Sequence, residues 1–95
     1  MDDNVRIYGR EDGFKDIAVT GTPVPLSTTS IRFKKLRVRA KDANAANIFI
    51  GGAGVDATKG DALFGTQSID FEAGDLSSIY INGTAPEGVT FHYEY

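Results

Sequence analysis

The sequence predicts an all-β domain, a compact antiparallel β-sandwich or jelly-roll-like barrel with a short N-terminal arm. Three observations lead there. No apolar i, i+3, i+4, i+7 pattern persists over about twelve residues, which removes amphipathic helices from consideration. Runs of β-branched and aromatic residues recur roughly every ten positions, broken by Gly, Pro, Asn and Asp. The chain has 95 residues, enough for a single domain with a thin core.

Taken in order, residues 1–16 are charged, with Val5, Ile7 and Tyr8 as the early apolar side chains. They read either as a short edge strand or as an arm that orders on a partner. The sandwich is assigned to residues 17–95. Ile17–Thr22 (IAVTGT) reads as its first strand. The PVPLS that follows carries two prolines one residue apart, and neither donates to a ladder, so it belongs to an edge or a crossover. SIRFKKLRVRAK is the longest run. Ile31 and Phe33 share one parity, and Leu36, Val38 and Ala40 share the other. A β-bulge at Lys34–Lys35 would keep both sets inward, with Arg37, Arg39 and Lys41 on the outer face. Asn47–Ile50 is a further strand, leaving into a glycine-rich stretch that returns near Leu63. Thr66–Ala73 follows, with Ile69 and Phe71 to one side and Ser68, Asp70 and Glu72 to the other. Gly74-Asp75-Leu76 turns the chain into Ile79–Ile81, and a loop from Asn82-Gly83 leads to the last strand. There Val89, Phe91, Tyr93 and Tyr95 alternate with Thr90, His92 and Glu94.

Composition removes most chemistry. There is no cysteine, hence no disulfide, thiolate metal site or cysteine nucleophile, and there is one histidine. The stretch GGAGVDATKGDAL invites two tests. A phosphate loop needs G-x-x-x-x-G-K-[ST] ahead of a helix; here Asp61 follows Lys59-Gly60, and no helical pattern comes after. An EF-hand counted from Asp56 places Thr58, Gly60 and Gln67 where oxygen ligands belong, and fails. The stretch therefore reads as a surface loop, open to a neighbour or to solvent. A lone His92 on the polar face of the last strand lacks a visible nucleophile or metal partner. The expectation is a protein that is not an enzyme, with no catalytic residue, metal or cofactor.

Neither a signal-peptide core nor an apolar run long enough to span a bilayer is present in the sequence, so the expectation is synthesis in a cytoplasm and no membrane partner. Net charge is −3, yet six of the ten basic residues lie between Arg32 and Lys41. Arg37, Arg39 and Lys41 then form a positive ribbon, either a solvated face or a protein interface. Nucleic acid is disfavoured because no aromatic side chains interleave these bases.

The succession VTGTPVPLSTTSI, a long basic strand, NIFIGGAGV, GDAL and SIDFEAGDLSSIYI resembles small tailed-phage virion proteins. Several of these look like capsid decoration, or cement, proteins. The resemblance covers residues 17–95 and implies a β-sandwich or jelly roll, often trimeric, that binds the major capsid protein at capsomer junctions. It thereby implies location on the virion capsid surface, after synthesis in the host. The capsid-contact candidates are Val5, Arg6, Ile7, Tyr8 and Arg10 in the arm, with Arg37 and Arg39 on the basic strand. Phe49, Tyr80 and His92 are the candidates for a homotrimer seam. Alternatives are a tail, baseplate or fibre-base component, or a carbohydrate-binding module using Tyr8, Tyr80 and Tyr95.

Overall fold

A computed structural model describes residues 10–95. Eight strands follow in order: β1 (Arg10–Asp16), β2 (Val24–Pro25), β3 (Arg32–Ala40), β4 (Ile48–Gly51), β5 (Asp61–Leu63), β6 (Ser68–Asp75), β7 (Tyr80–Asn82) and β8 (Gly88–Glu94). The only helical element among the described residues is a single 3-10 turn, Leu76–Ser78. The strands make two four-stranded antiparallel sheets, ordered β1-β8-β3-β6 and β2-β7-β4-β5.

The pairing is nested. β1 pairs with β8, β2 with β7, β3 with β6 and β4 with β5. The chain is thus one long hairpin folded across itself, and contacts β3–β8 and β4–β7 join its arms into sheets. That is jelly-roll connectivity. The two sheets stay open at their edges, so the architecture is a sandwich and not the closed barrel the sequence also allowed.

Between the sheets lies one apolar core. Leu36, Val38, Ala40, Val89, Phe91 and Tyr93 come from the first sheet, and Ile48, Ile50, Leu63 and Ile81 from the second. Ile17, Leu26 and Leu76 join it from outside the strands. The alternation in β3 and β8 is what period 2 requires of a sheet with one dry face.

One open alternative is decided, in favour of an edge strand, and three local readings change. Arg10–Asp16 forms strand β1, paired over its whole length with β8, so the boundary at residue 16/17 falls at the end of a strand and not at the root of an arm. Gly13 is the reason so polar a stretch packs: a Cβ there would lie 2.8 Å from Cζ of Phe91, whose ring covers the glycine. Ile17–Thr22 is not a strand. Ile17 N–H still donates to Glu87 O at 2.8 Å, after which Thr22 N–H closes on Val19 O and Gly21 turns with φ 83°.

In β3 both apolar sets do face inward, without an inserted residue. One register runs from Arg32↔Asp75 through Lys35↔Glu72 to Arg39↔Ser68. The irregularity falls on the partner strand, where Ala73 takes φ 51°. Beside it Gly74 leaves room for the Phe33 ring, which a Cβ would meet at 2.8 Å.

The glycine-rich stretch is the tip of the long hairpin, and it is not free. Val55 is buried, yet it stands outside the main core cluster. It folds back onto the outer face of the second sheet, over Gly51 and Gly60, where added Cβ atoms would meet its Cγ2 at 3.3 and 2.5 Å. Asn82 Nδ2 donates to Val55 O at 3.0 Å and to Gly21 O at 3.3 Å. The exposed remainder is a tight turn, with Asp56 and Lys59 bridged by reciprocal backbone bonds and Asp56 accepting from Thr58 N–H and Oγ1.

Candidate interaction surface

The outer face of the β1-β8-β3-β6 sheet is built by the residues that alternate with the core. Across the four strands they fall into rows. The first is Arg10, Glu94, Lys35, Glu72; the second Asp12, His92, Arg37, Asp70; the third Phe14, Thr90, Arg39, Ser68. Charges of opposite sign therefore meet across neighbouring strands. The positive members are Arg10, Lys35, Arg37 and Arg39, the negative ones Asp12, Asp70, Glu72 and Glu94, four against four.

The basic strand is accordingly not a positive ribbon. Arg37 forms a bidentate pair with Asp70, Nε to Oδ1 at 2.7 Å and Nη2 to Oδ2 at 3.0 Å. That hydrogen bond holds the Asp70 carboxyl below its ordinary range and raises the Arg37 guanidinium above its own. Arg39 Nη2 reaches Asp42 at 2.8 Å, and Lys41 Nζ reaches Asp16 at 2.6 Å while lying 4.9 Å from the Phe14 ring centroid. Two shallow open depressions, about 280 and 290 Å³, flank the Arg37–His92 pair. Phe14 stands on this same face and is 66% exposed.

The sequence candidates separate cleanly. Arg10, Arg37, Arg39 and His92 share this face. Phe49 and Tyr80 alternate with Ile48, Ile50 and Ile81 and so lie on the outer face of the other sheet. No single seam contains all three proposed seam residues. Val5, Arg6, Ile7 and Tyr8 lie outside the described residues. Of the tyrosines named for a sugar platform, Tyr8 is also outside them, Tyr80 is on the second sheet, and Tyr95 lies past the end of β8, its ring tilted 45° to that of Tyr93 with centroids 5.9 Å apart. They do not converge.

The sequence reading missed the acidic half of the face. Asp70, Glu72 and Glu94 occupy alternate positions in their strands, as visibly as the arginines do. What places them opposite those arginines is strand pairing, which no local pattern encodes. Phe14 was likewise hidden among the charges of residues 10–16.

The remaining polar networks are structural. Asp75 accepts from Ile31 N–H, Ser77 N–H and the hydroxyls of Ser30 and Ser77, and these bonds, Ser30 foremost, hold its carboxyl well below the ordinary carboxylate range. Asn44, buried, binds both Gly88 O and Gly88 N–H at 2.9 and 3.2 Å. Among the described residues no group of three or more His, Asp or Glu side chains is placed to hold a metal ion, and no helix is long and apolar enough to cross a membrane. Compared with protein-family models, curated proteins and solved structures, the chain matches none of them.

Proposed function

We propose that this chain is a non-enzymatic virion structural protein that decorates a phage head, binding the major capsid protein at capsomer junctions. The observation that carries the reading is the charge-balanced outer face with its protruding Phe14. A broad, open face of alternating charge with one exposed phenyl suits docking on another folded protein, where paired charges set register and an aromatic side chain supplies buried area. The same balance disfavours nucleic acid, since a face without net positive charge gains little from counterion release. Jelly rolls recur in viral capsid and lectin domains, an analogy of fold that agrees with the resemblance of residues 17–95 to phage decoration proteins.

Function on this reading is thermodynamic. A protein that binds only the mature lattice stabilises it by RT ln(1 + [L]/Kd), about 2.7 kcal/mol per site at a hundredfold excess over Kd. The trimer implied by the resemblance would need a seam other than the three scattered candidates.

Co-sedimentation with undecorated heads of the same virus tests the proposal. The full chain is expected in the pellet, and the double variant Arg37→Glu, Arg39→Glu in the supernatant. Failure of the unaltered chain to pellet would overturn the reading. A chain lacking residues 1–9 measures what the N-terminal segment adds; cutting at residue 16 would remove β1 and disturb the sheet.

A further inference from the structure

β1 pairs with β8 on one side, and among the described residues no strand covers its other side. Its sequence is Arg-Glu-Asp-Gly-Phe-Lys-Asp. Laid antiparallel against an identical strand about a two-fold axis at Gly13, it places Arg10 opposite Asp16, Glu11 opposite Lys15, and Asp12 opposite Phe14. Every basic residue meets an acid and the glycines face each other on the axis.

We propose that β1 is a homodimerisation strand, joining two copies edge to edge through this two-fold register into one continuous eight-stranded sheet.

Hydrogen-bond phase supports the register. Ile17 N–H donates to Glu87 O, and the pair continues the β1–β8 register that includes Asp16↔Gly88. Antiparallel ladders alternate between bonded and non-bonded pairs. The odd residues Glu11, Gly13 and Lys15 therefore bond to β8, and the even residues Arg10, Asp12, Phe14 and Asp16 aim their backbone groups outward. In the two-fold register even residues face even ones, so about eight further backbone hydrogen bonds can form without disturbing β8.

Side chains agree with this placement. Even residues lie on the outer face of the sheet and odd residues on the inner one, so Arg10–Asp16 pairs meet on one face and Glu11–Lys15 pairs on the other. The two Phe14 side chains become diagonal neighbours across the axis, a spacing within reach of aromatic rings. That contact gives the most exposed large apolar side chain among the described residues a partner. Charges on an edge strand ordinarily discourage pairing with any other strand. Here they do so for strangers, whereas against an identical copy both bases meet acids and Asp12 alone among the acids faces an uncharged residue, which is how a sequence selects one partner. The contact is isologous and closed, so it ends at two copies.

Sedimentation equilibrium of the full chain up to ~1 mM, a range that captures weak dimers, is the test. The unaltered chain is expected to show a monomer–dimer equilibrium. Lys15→Glu sets Glu against Glu11 twice per dimer and is expected to weaken association at least tenfold. The double swap Glu11→Lys, Lys15→Glu rebuilds both pairs in reverse and is expected to restore it. A variant-free readout is amide exchange: protection of the Asp12 and Phe14 amides should rise with concentration, while Glu11 and Gly13, already bonded to β8, stay constant. A strict monomer, a trimer, a double swap that stays monomeric, or exchange at Asp12 and Phe14 independent of concentration would each overturn the proposal.

Discussion

Replacing Val55 by alanine asks whether the glycine-rich tip is a cover or a free loop. Val55 is 3% exposed, packed on Gly51 and Gly60 and tied by its carbonyl to Asn82. The substitution removes the equivalent of two buried methylene groups, about 1.6 kcal/mol at roughly 0.8 kcal/mol each. Both neighbours are glycines with no side chain to move into the space, so a cavity contribution adds to this, giving about 2 kcal/mol in all. Urea unfolding followed by far-UV circular dichroism measures it. The midpoint should fall while the slope stays constant, because the loop contributes little to the area exposed on unfolding. A loss below about 0.5 kcal/mol, the scale of ordinary surface substitutions, would refute the cover and return the tip to a mobile loop.

Asn44→Ala leaves the buried Gly88 N–H without its side-chain acceptor, while Gly88 O keeps the bond from Lys41 N–H, and should cost about 1–3 kcal/mol in the same assay. Gly88→Ala should be worse, about 3 kcal/mol or more, because its Cβ would sit 2.3 Å from Lys15 O and force β1 off β8. Asp75 predicts the direction of acid sensitivity. Its carboxyl titrates lower in the folded chain than in the unfolded one, so its contribution is complete above the ordinary carboxylate pKa of about 4 and disappears as pH falls through the folded value. Asp75→Asn should therefore flatten the dependence of the melting midpoint on pH in acid, as thermal scans between pH 2 and pH 7 would show, about the range over which carboxylates titrate. Arg37→Ala, by contrast, removes one partner of an exposed pair and should leave the melting midpoint unchanged while weakening attachment to heads.

The sandwich was legible because period 2 is a local signal. Leu36, Val38 and Ala40 announce one dry face, as do Val89, Phe91 and Tyr93, and both segments are strands whose alternate residues fill the core. Where the reading went astray, distant residues decided. IAVTGT has strand composition, yet only Ile17 continues the β1 register before Gly21 turns the chain away. Residues 10–16 look like solvent-exposed chain until Phe91, nearly eighty positions on, lies over Gly13. The Lys34–Lys35 irregularity was placed at the right level of β3, but the backbone that absorbs it belongs to Ala73 on β6. The outer face of the first sheet shows the same limit. Arginines at alternate positions are visible in the sequence, whereas the carboxylates that neutralise them arrive from β1, β6 and β8 through nested, long-range pairing. Val55 illustrates it again, since a valine among glycines carries no periodicity that would mark it as buried.

The proposed attachment to a phage head runs through the outer face of the β1-β8-β3-β6 sheet. Cryo-electron microscopy of purified virions tests it most directly. Density for the sandwich is expected at capsomer junctions, with Phe14, Arg37 and Arg39 turned toward the major capsid protein. Density confined to the tail, or a head-bound sandwich whose β1-β8-β3-β6 face points to solvent, would contradict it.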